Sequence, residues 1–312
     1  MTKVGPGQFT GLLRSQPLRA LLFAPANHER HALKALASEA DAAILDLEDS
    51  VATTSKPEAR RAAAELLRNR TSQRPLAFVR INSMATEHAY PDLTSVVGAG
   101  LDGVLLPKTE SAEEVVILSW LLDQMELERD LGRGRIQILP IVETAAGLAA
   151  AREIAAASPR VWTLNFGAAD FSLDTGMRRS LGNPGLSVAK TQLVLACRLA
   201  GAARPIDSAR LDLADDEALR AEAHEACELG FQGKACIHPR QLPVVLGAFR
   251  PTGADLERAR RIVESFARTS SEGGGSLVVG PEFVDQPVVE AARRLLDSDN
   301  SDLQSPAPPR PG

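Results

Sequence analysis

Two acidic residues, Glu143 in "IVETAAG" and Asp170 in "FGAADF", each follow a short apolar run. Carboxylates at the ends of two successive strands, with no His-x-x-x-His or thiolate set beside them, suit a hard divalent ion such as Mg2+. Such an ion takes one or two carboxylates and keeps waters for a substrate to displace. The same placement allows a plainer reading, in which Glu143 caps the helix beginning at Thr144 and Asp170 accepts backbone amides in its loop. A second acidic group ends the run "AAILDLEDSV", where Asp46, Glu48 and Asp49 fall within four positions. Alternate residues of a strand share a face, so Asp46 and Glu48 point the same way. Two inward carboxylates are costly to desolvate unless a cation or strong donor meets them.

Arg80 of "FVRIN" and Lys108 of "LLPK" are cations that the next two apolar runs deliver to the same end. Asp46, Glu48, Arg80 and Lys108 are therefore expected to form one charged cluster, with Asp49 the most structural of the acids. Arg80 can serve as the structural partner of Glu48 or Asp49 and still present its guanidinium to a substrate carboxylate. Lys56 and Arg60, four apart in "KPEAR", share a helix face that is either solvated or reaches back to these acids. His28 and His31 of "NHERH" read as solvated, and His238 of "CIHP" as a rim residue that orients its neighbours or joins the chemistry.

These residues need a scaffold that brings strand ends together. Short runs rich in Val, Ile and Leu recur as "RALLFAP", "AAILDLED", "LAFVRIN", "DGVLLPK", "IQILPIVET", "RVWTLNFGAAD", "ARPIDS" and "GKACIHP". Alanine-rich segments of helical period separate most of them, and eight strands at this interval predict an α/β fold, a (β/α)8 TIM barrel. Such barrels carry their chemistry at the C-terminal ends of the strands, where nearly every run here ends in a polar or charged residue. No G-x-G-x-x-G or P-loop follows any run, which argues against a dinucleotide fold.

The chain has 312 residues with 35 Lys and Arg against 40 Asp and Glu. That balance contains no basic block fit for a nucleic acid and points to small-molecule chemistry. Cys197, Cys227 and Cys236 form no C-x-x-C pair and read as reduced core residues. No stretch approaches the length of a membrane span, so the sequence predicts a soluble, cytoplasmic protein with no membrane or nucleic-acid partner. The division expected is a disordered tail over 1–14, a catalytic barrel over 15–270, a hinge and C-terminal lid over 271–297, and a disordered tail over 298–312. The hinge is "SSEGGGS", and the lid is the apolar but small segment "LVVGPEFVDQPVVEAARRLLD".

Read in order, "RALLFAPANHERHALKAL", "DAAILDLEDSV" with "KPEAR", "FVRIN", "DGVLLPKTES", "IVETAAG", "FGAADF", "LGFQGKACIHPRQ" and "VDQPVVEAARRLL" resemble one family. This is the citrate lyase β-subunit-like group of the HpcH/HpaI aldolase/citrate lyase superfamily, which includes malyl-CoA and citramalyl-CoA lyases. The resemblance covers about residues 19 to 296. It implies a (β/α)8 barrel, a homotrimer or hexamer, and a divalent ion, commonly Mg2+ with Mn2+ as a substitute, held by Glu143 and Asp170. It implies that Arg80 contacts the substrate anion and that Asp285, of the "VDQPVV" motif, is an acid/base delivered by the lid of an adjoining subunit. Asp46, Lys108 and Arg19 join Arg80 as expected substrate contacts, and Glu48 joins Arg80 and Asp285 as an expected catalytic residue. The chain departs from the family pattern at Ala26, where Gly is common, at Val188-x-Lys190, where Tyr-x-Arg is common, and at Ala169, where many members carry an acid.

The implied reaction is reversible C–C cleavage of a 3-hydroxyacyl-CoA bearing a carboxylate, of the malyl-CoA or citramalyl-CoA type, to a 2-oxo acid and an acyl-CoA. Two alternatives stand beside it. A thioesterase would turn the same metal and Asp285 on water, and a citrate lyase β-like subunit would take its acyl group from a carrier protein.

Overall fold

The computed structural model describes residues 18–178, 182–271 and 274–303, with side chains described as far as residue 297. Most of both expected tails, and Glu272 and Gly273 of the expected hinge, lie outside the described residues. The described chain forms two compact units, one ending at Phe249 and the other beginning at Arg250.

The first unit is a closed barrel of eight parallel strands in sequence order. The strands are β1 (Ala20–Pro25), β2 (Ala42–Asp46), β3 (Leu76–Arg80), β4 (Gly103–Leu106), β5 (Gln137–Val142), β6 (Asn165–Phe166), β7 (Ile206–Asp207) and β8 (Gly233–Cys236). Closure comes from β1 pairing with β8 as well as β2. Strands buried on both faces explain why their sequences read as unbroken apolar runs rather than alternating ones. Leu21, Ile44, Phe78, Leu105, Leu139, Ile141, Trp162 and Ile206 pack into one apolar cluster, and a larger one joins strand residues such as Leu45, Val79 and Val104 to the helices.

Each of the eight expected runs supplies a strand, yet β6 and β7 keep only two ladder residues each. The front of "RVWTLNFGAAD" contributes an isolated bridge, Ile138 to Val161, instead of a longer strand. The segment "TAAGLAAAREIAAA", read as one helix, divides into Ala145–Ala149 and Ala151–Ala156. Helix Ala112–Glu128 begins with a capping box: the Ser111 hydroxyl accepts from the Glu114 amide and the Glu114 carboxylate accepts from the Ser111 amide. Asp215 caps helix Asp216–Leu229 in the same sense through the Ala218 amide. Cys197 and Cys236 are buried as expected, whereas Cys227 is exposed. It sits beside Ala226 on the Asp216–Leu229 helix and falls off the buried stripe of Leu219, Ala223 and Ala226.

The second unit contains helix Gly253–Ser271, the antiparallel hairpin of β9 (Leu277–Val279) and β10 (Glu282–Val284), and helix Gln286–Leu303. Ala259, Ile262, Phe266, Val284, Val289 and Ala292 give it a small core of its own. The Gly253–Ser271 helix thus groups with the hairpin, and the unit begins at Arg250 where the sequence placed a boundary near 271. The final helix also continues to Leu303, past the expected tail start at 298, since no Gly or Pro interrupts the chain before Pro306. Among the described residues no helix is long and apolar enough to cross a membrane.

Candidate active site

A cavity of about 460 Å³ opens at the C-terminal end of the barrel, walled by residues that include Phe23, Asp46, Asp49, Arg80, Glu143, Asn165, Asp170, Ser208 and Ile237. Asp46 ends β2 and Arg80 ends β3, and the ladder sets the two in register. Arg80 donates from Nε to Asp46 Oδ1 at 2.7 Å and from Nη2 to Asp46 Oδ2 at 2.6 Å, the bidentate geometry that a planar guanidinium allows. Asp46 also accepts from the Glu48 amide and from the Ser50 amide and hydroxyl. Burial pushes the Asp46 carboxyl up, but Arg80 and these donors more than offset it, so the group stays below the usual carboxylate range.

Glu48 lies 2.9 Å from Arg80 Nη1 and also pairs with the Lys108 ammonium. Burial raises its carboxyl above the ordinary value despite those cations. Burial alone would lower Arg80 and Lys108; their acidic partners hold both above the ordinary range. The Phe23 ring adds an apolar face, with the guanidinium carbon 5.3 Å from its centroid. Asp46, Glu48, Arg80 and Lys108 therefore form the expected cluster. Asp49 is its exposed member and reaches the cavity wall, contrary to its reading as the structural acid, because Asp46 and not Asp49 takes the bidentate Arg80. Neither Glu48 nor Lys108 belongs to the cavity wall, so Glu48 acts on the cavity through Arg80.

Lys108 affects the site chiefly through its backbone. It is one of two described non-glycine residues with positive φ, at 50°, and its amide donates to Glu143 Oε1 at 2.7 Å. A side chain held in the left-handed region at a strand end marks a functional constraint. Glu143 is buried, and burial followed by the nearby charge of Asp170 pushes its carboxyl up to about 8. Asp170 stands in the first turn of helix Ala168–Thr175 and lines the cavity. Gly167, between them, is there by necessity: a Cβ would come within 2.4 Å of Glu143 Oε2.

Among the described residues no three His, Cys, Asp or Glu side chains gather as a metal cluster. Two hard carboxylates, one destabilised by burial and by its neighbour's charge, fit a divalent ion whose other positions go to water or substrate. Helix capping by Glu143 is replaced by a different arrangement, since Thr144 caps that helix through the Gly147 amide.

Arg19 is not brought to the site. It precedes β1, at the opposite end of the barrel, where Nη2 lies 3.1 Å from the Asp41 carboxylate. A residue before a parallel strand points to the N-terminal face, which in this fold serves stability. Lys56 does reach the end of β2, but through carbonyls: Nζ donates to the oxygens of Leu47 and Glu48 and to Asn82 Oδ1. Arg60 pairs with Asp92 at 2.6 Å. His28 and His31 are exposed, and His238 caps a 3-10 turn by accepting from the Arg240 amide. Asp207, fully buried, is shared by Lys234 at 2.7 Å and Lys190 at 3.3 Å. Asp285 belongs to the second unit, where its Oδ1 accepts from the Val288 amide at 3.4 Å at the start of the last helix. Asn165 escaped the sequence reading; its only signal was a lone amide inside the apolar run "WTLNFG".

The profile of the HpcH/HpaI aldolase/citrate lyase family matches residues 19–239. A citrate lyase subunit beta-like protein of Deinococcus radiodurans is 36% identical over 283 residues, covering 89% of this chain and 96% of that protein. The L-malyl-CoA/beta-methylmalyl-CoA lyase of Rhodobacter capsulatus is 34% identical over 298 residues, covering 89% and 93%. The crystal structure of CitE from Mycobacterium tuberculosis, in complex with magnesium, acetoacetate and coenzyme A, superposes with a TM-score of 0.75. It is 34% identical in sequence, over 92% of this chain and 99% of that one.

Proposed function

The chain belongs to the HpcH/HpaI aldolase/citrate lyase family of enzymes, and from that premise we propose that it is a Mg2+-dependent CoA-ester lyase. Its substrate is a 3-hydroxyacyl-CoA bearing a carboxylate, of the malyl-CoA or citramalyl-CoA type, cleaved to a 2-oxo acid and an acyl-CoA or formed from them. The observation that carries the reading is the Glu143 and Asp170 pair on a cavity wall that also holds Arg80. Glu143 and Asp170 would hold Mg2+, or Mn2+ in its place. When bound, the ion supplies Lewis-acid stabilisation of the oxygen that becomes the 2-oxo group.

The remaining work falls to the protein's own groups. Arg80, fixed by Asp46 and Glu48, presents a positive charge that cannot swing away, and so orients a substrate carboxylate and opposes negative charge developing beside it. Lys108 holds Glu143 Oε1 by its amide and so fixes the orientation of the carboxylate. Proton transfer to or from the acyl-CoA carbon needs one further acid/base, and Asp285 is that residue in this reading, carried by a lid from an adjoining subunit of a homotrimer. Support comes from Val278 and Phe283, register partners on the hairpin and both exposed, which give the second unit an apolar face. The enzyme is read as cytoplasmic.

The test is to incubate malyl-, methylmalyl- and citramalyl-CoA with the protein and Mg2+ and to identify every product by mass spectrometry. A 2-oxo acid together with an acyl-CoA is expected from at least one of them. Free CoA without any 2-oxo acid would mark a thioesterase and refute the lyase assignment. No turnover of any CoA ester, with acyl transfer from a carrier protein instead, would refute CoA as the substrate carrier.

A further inference from the structure

The cavity floor contains one polar group that nothing in the site satisfies. Asn165 is 4% exposed and lines the cavity, and its Oδ1 has no hydrogen-bond partner among the described residues. Its Nδ2 donates to the Phe166 carbonyl at 3.4 Å, longer than an ordinary N–H···O bond. In the ladder Asn165 stands level with Ile141 on β5 and Ile206 on β7, both aliphatic members of one apolar cluster and neither able to pair with an amide. Ile141 lies two residues before Glu143, so Asn165 sits one layer deeper than the carboxylate pair and on the same inward side. An acceptor buried among isoleucines destabilises the fold, and leucine at this position would pack the layer better. A group of this kind at the bottom of a reaction cavity is explained by a partner that arrives with the ligand.

We propose that Asn165 is a substrate-contacting specificity residue whose amide oxygen accepts a hydrogen bond from the hydroxyl of the hydroxyacyl substrate. The identity of that hydroxyl rests on the lyase reading given above. An acceptor distinguishes the two sides of the reaction, because a hydroxyl donates to it and the 2-oxo oxygen that replaces the hydroxyl does not. Asn165 thus favours the hydroxy acid over the oxo acid of the same skeleton.

Malate and oxaloacetate are suitable probes, since they differ only in carrying a hydroxyl or an oxo group at the second carbon. Their dissociation constants are measured by calorimetry with Mg2+ for the wild type, Asn165→Leu and Asn165→Ala, alongside thermal midpoints of the ligand-free proteins. In both variants malate affinity should fall about tenfold while oxaloacetate affinity stays within about twofold. The ligand-free Asn165→Leu protein should melt no lower than wild type, since an unpaired acceptor has been removed. Unchanged malate affinity in the Ala variant, or equal losses for the two acids, overturns the inference. A wild type that binds neither acid and yields no oxo acid from any hydroxyacyl thioester overturns the lyase reading instead, and this inference with it.

Discussion

Replacing Gly167 with alanine tests the placement of Glu143 without replacing any charged group. The added Cβ would lie 2.4 Å from Glu143 Oε2, 2.5 Å from its Cβ and 3.2 Å from its Cδ, where ordinary contact begins near 3.4 Å. Gly167 has φ −104°, which alanine adopts freely, so the effect is steric and not one of backbone strain. Glu143 Cβ is anchored at the end of β5 and cannot rotate away, so the carboxylate and its strand end must give by about 1 Å. A misplacement of that size costs roughly a hundredfold in rate, or about 2.7 kcal/mol of barrier. Overpacking should lower stability by about 1–3 kcal/mol. The assay is kcat/KM on the accepted thioester, the Mg2+ concentration for half activation, and the thermal midpoint. Gly247→Ala is the matched control: it lies inside helix Leu242–Phe249 with nothing within 4 Å of the new Cβ, and should stabilise by about 0.5–1 kcal/mol with unchanged kinetics. A Gly167→Ala protein with kcat/KM and Mg2+ requirement both within threefold of wild type would refute the assignment of Glu143.

Removing divalent ions with a chelator should abolish lyase activity, and Mg2+ or Mn2+ should restore it; full activity in chelator contradicts a carboxylate metal site. Lys234→Met removes the ammonium 2.7 Å from Asp207 and should cost about 3–5 kcal/mol in urea unfolding, with Lys190 keeping the loss at the lower end. Asp207 is held below its ordinary value of 3.8 by these lysines, which outweigh the upward push of burial. Its contribution is therefore complete above about pH 4 and lost as pH falls through the folded-state value, so the variant should show a flatter acid limb. An unchanged acid limb would show that the cluster is not coupled to folding. Mixing inactive Asp285→Ala with inactive Glu143→Ala under conditions of subunit exchange should restore part of the activity, because some interfaces then pair an intact lid with an intact carboxylate site. Exchange without recovery would remove the shared site.

The barrel was legible because strands buried on both faces leave continuous apolar runs, and because a fold of this kind fixes where each run delivers its last residue. That logic located Asp46, Arg80, Glu143 and Asp170 on one cavity. The same logic excludes Arg19, expected at the site from the resemblance, because it comes before its strand and so faces the other end. What the chain does after a strand is harder to read. Nothing in "LLPKTES" announces a left-handed lysine whose amide turns onto Glu143, because the conformation is imposed by tertiary contacts and not by local preference. Reading Asp49 as the structural acid is wrong, since which acid takes the guanidinium depends on the β2–β3 register, which sets Asp46 level with Arg80. The sequence leaves Lys56 either on a solvated helix face or reaching back to the acids of β2, and only the packing of its helix shows that three oxygens hold it in the interior.

Charge at the cavity mouth also governs the sequence of arrivals. Among the described residues, Asp46, Glu48 and Asp49 engage Arg80 and Lys108, while Asp170 adds a further acid to the wall beside Glu143. A small dianion approaching this surface alone meets more repulsion than attraction, and low-dielectric walls concentrate that field. A divalent cation entering first cancels much of that excess and gives the acid a direct partner. Loading should therefore be ordered, cation first and acid second, with the acid leaving before the cation when the cycle closes.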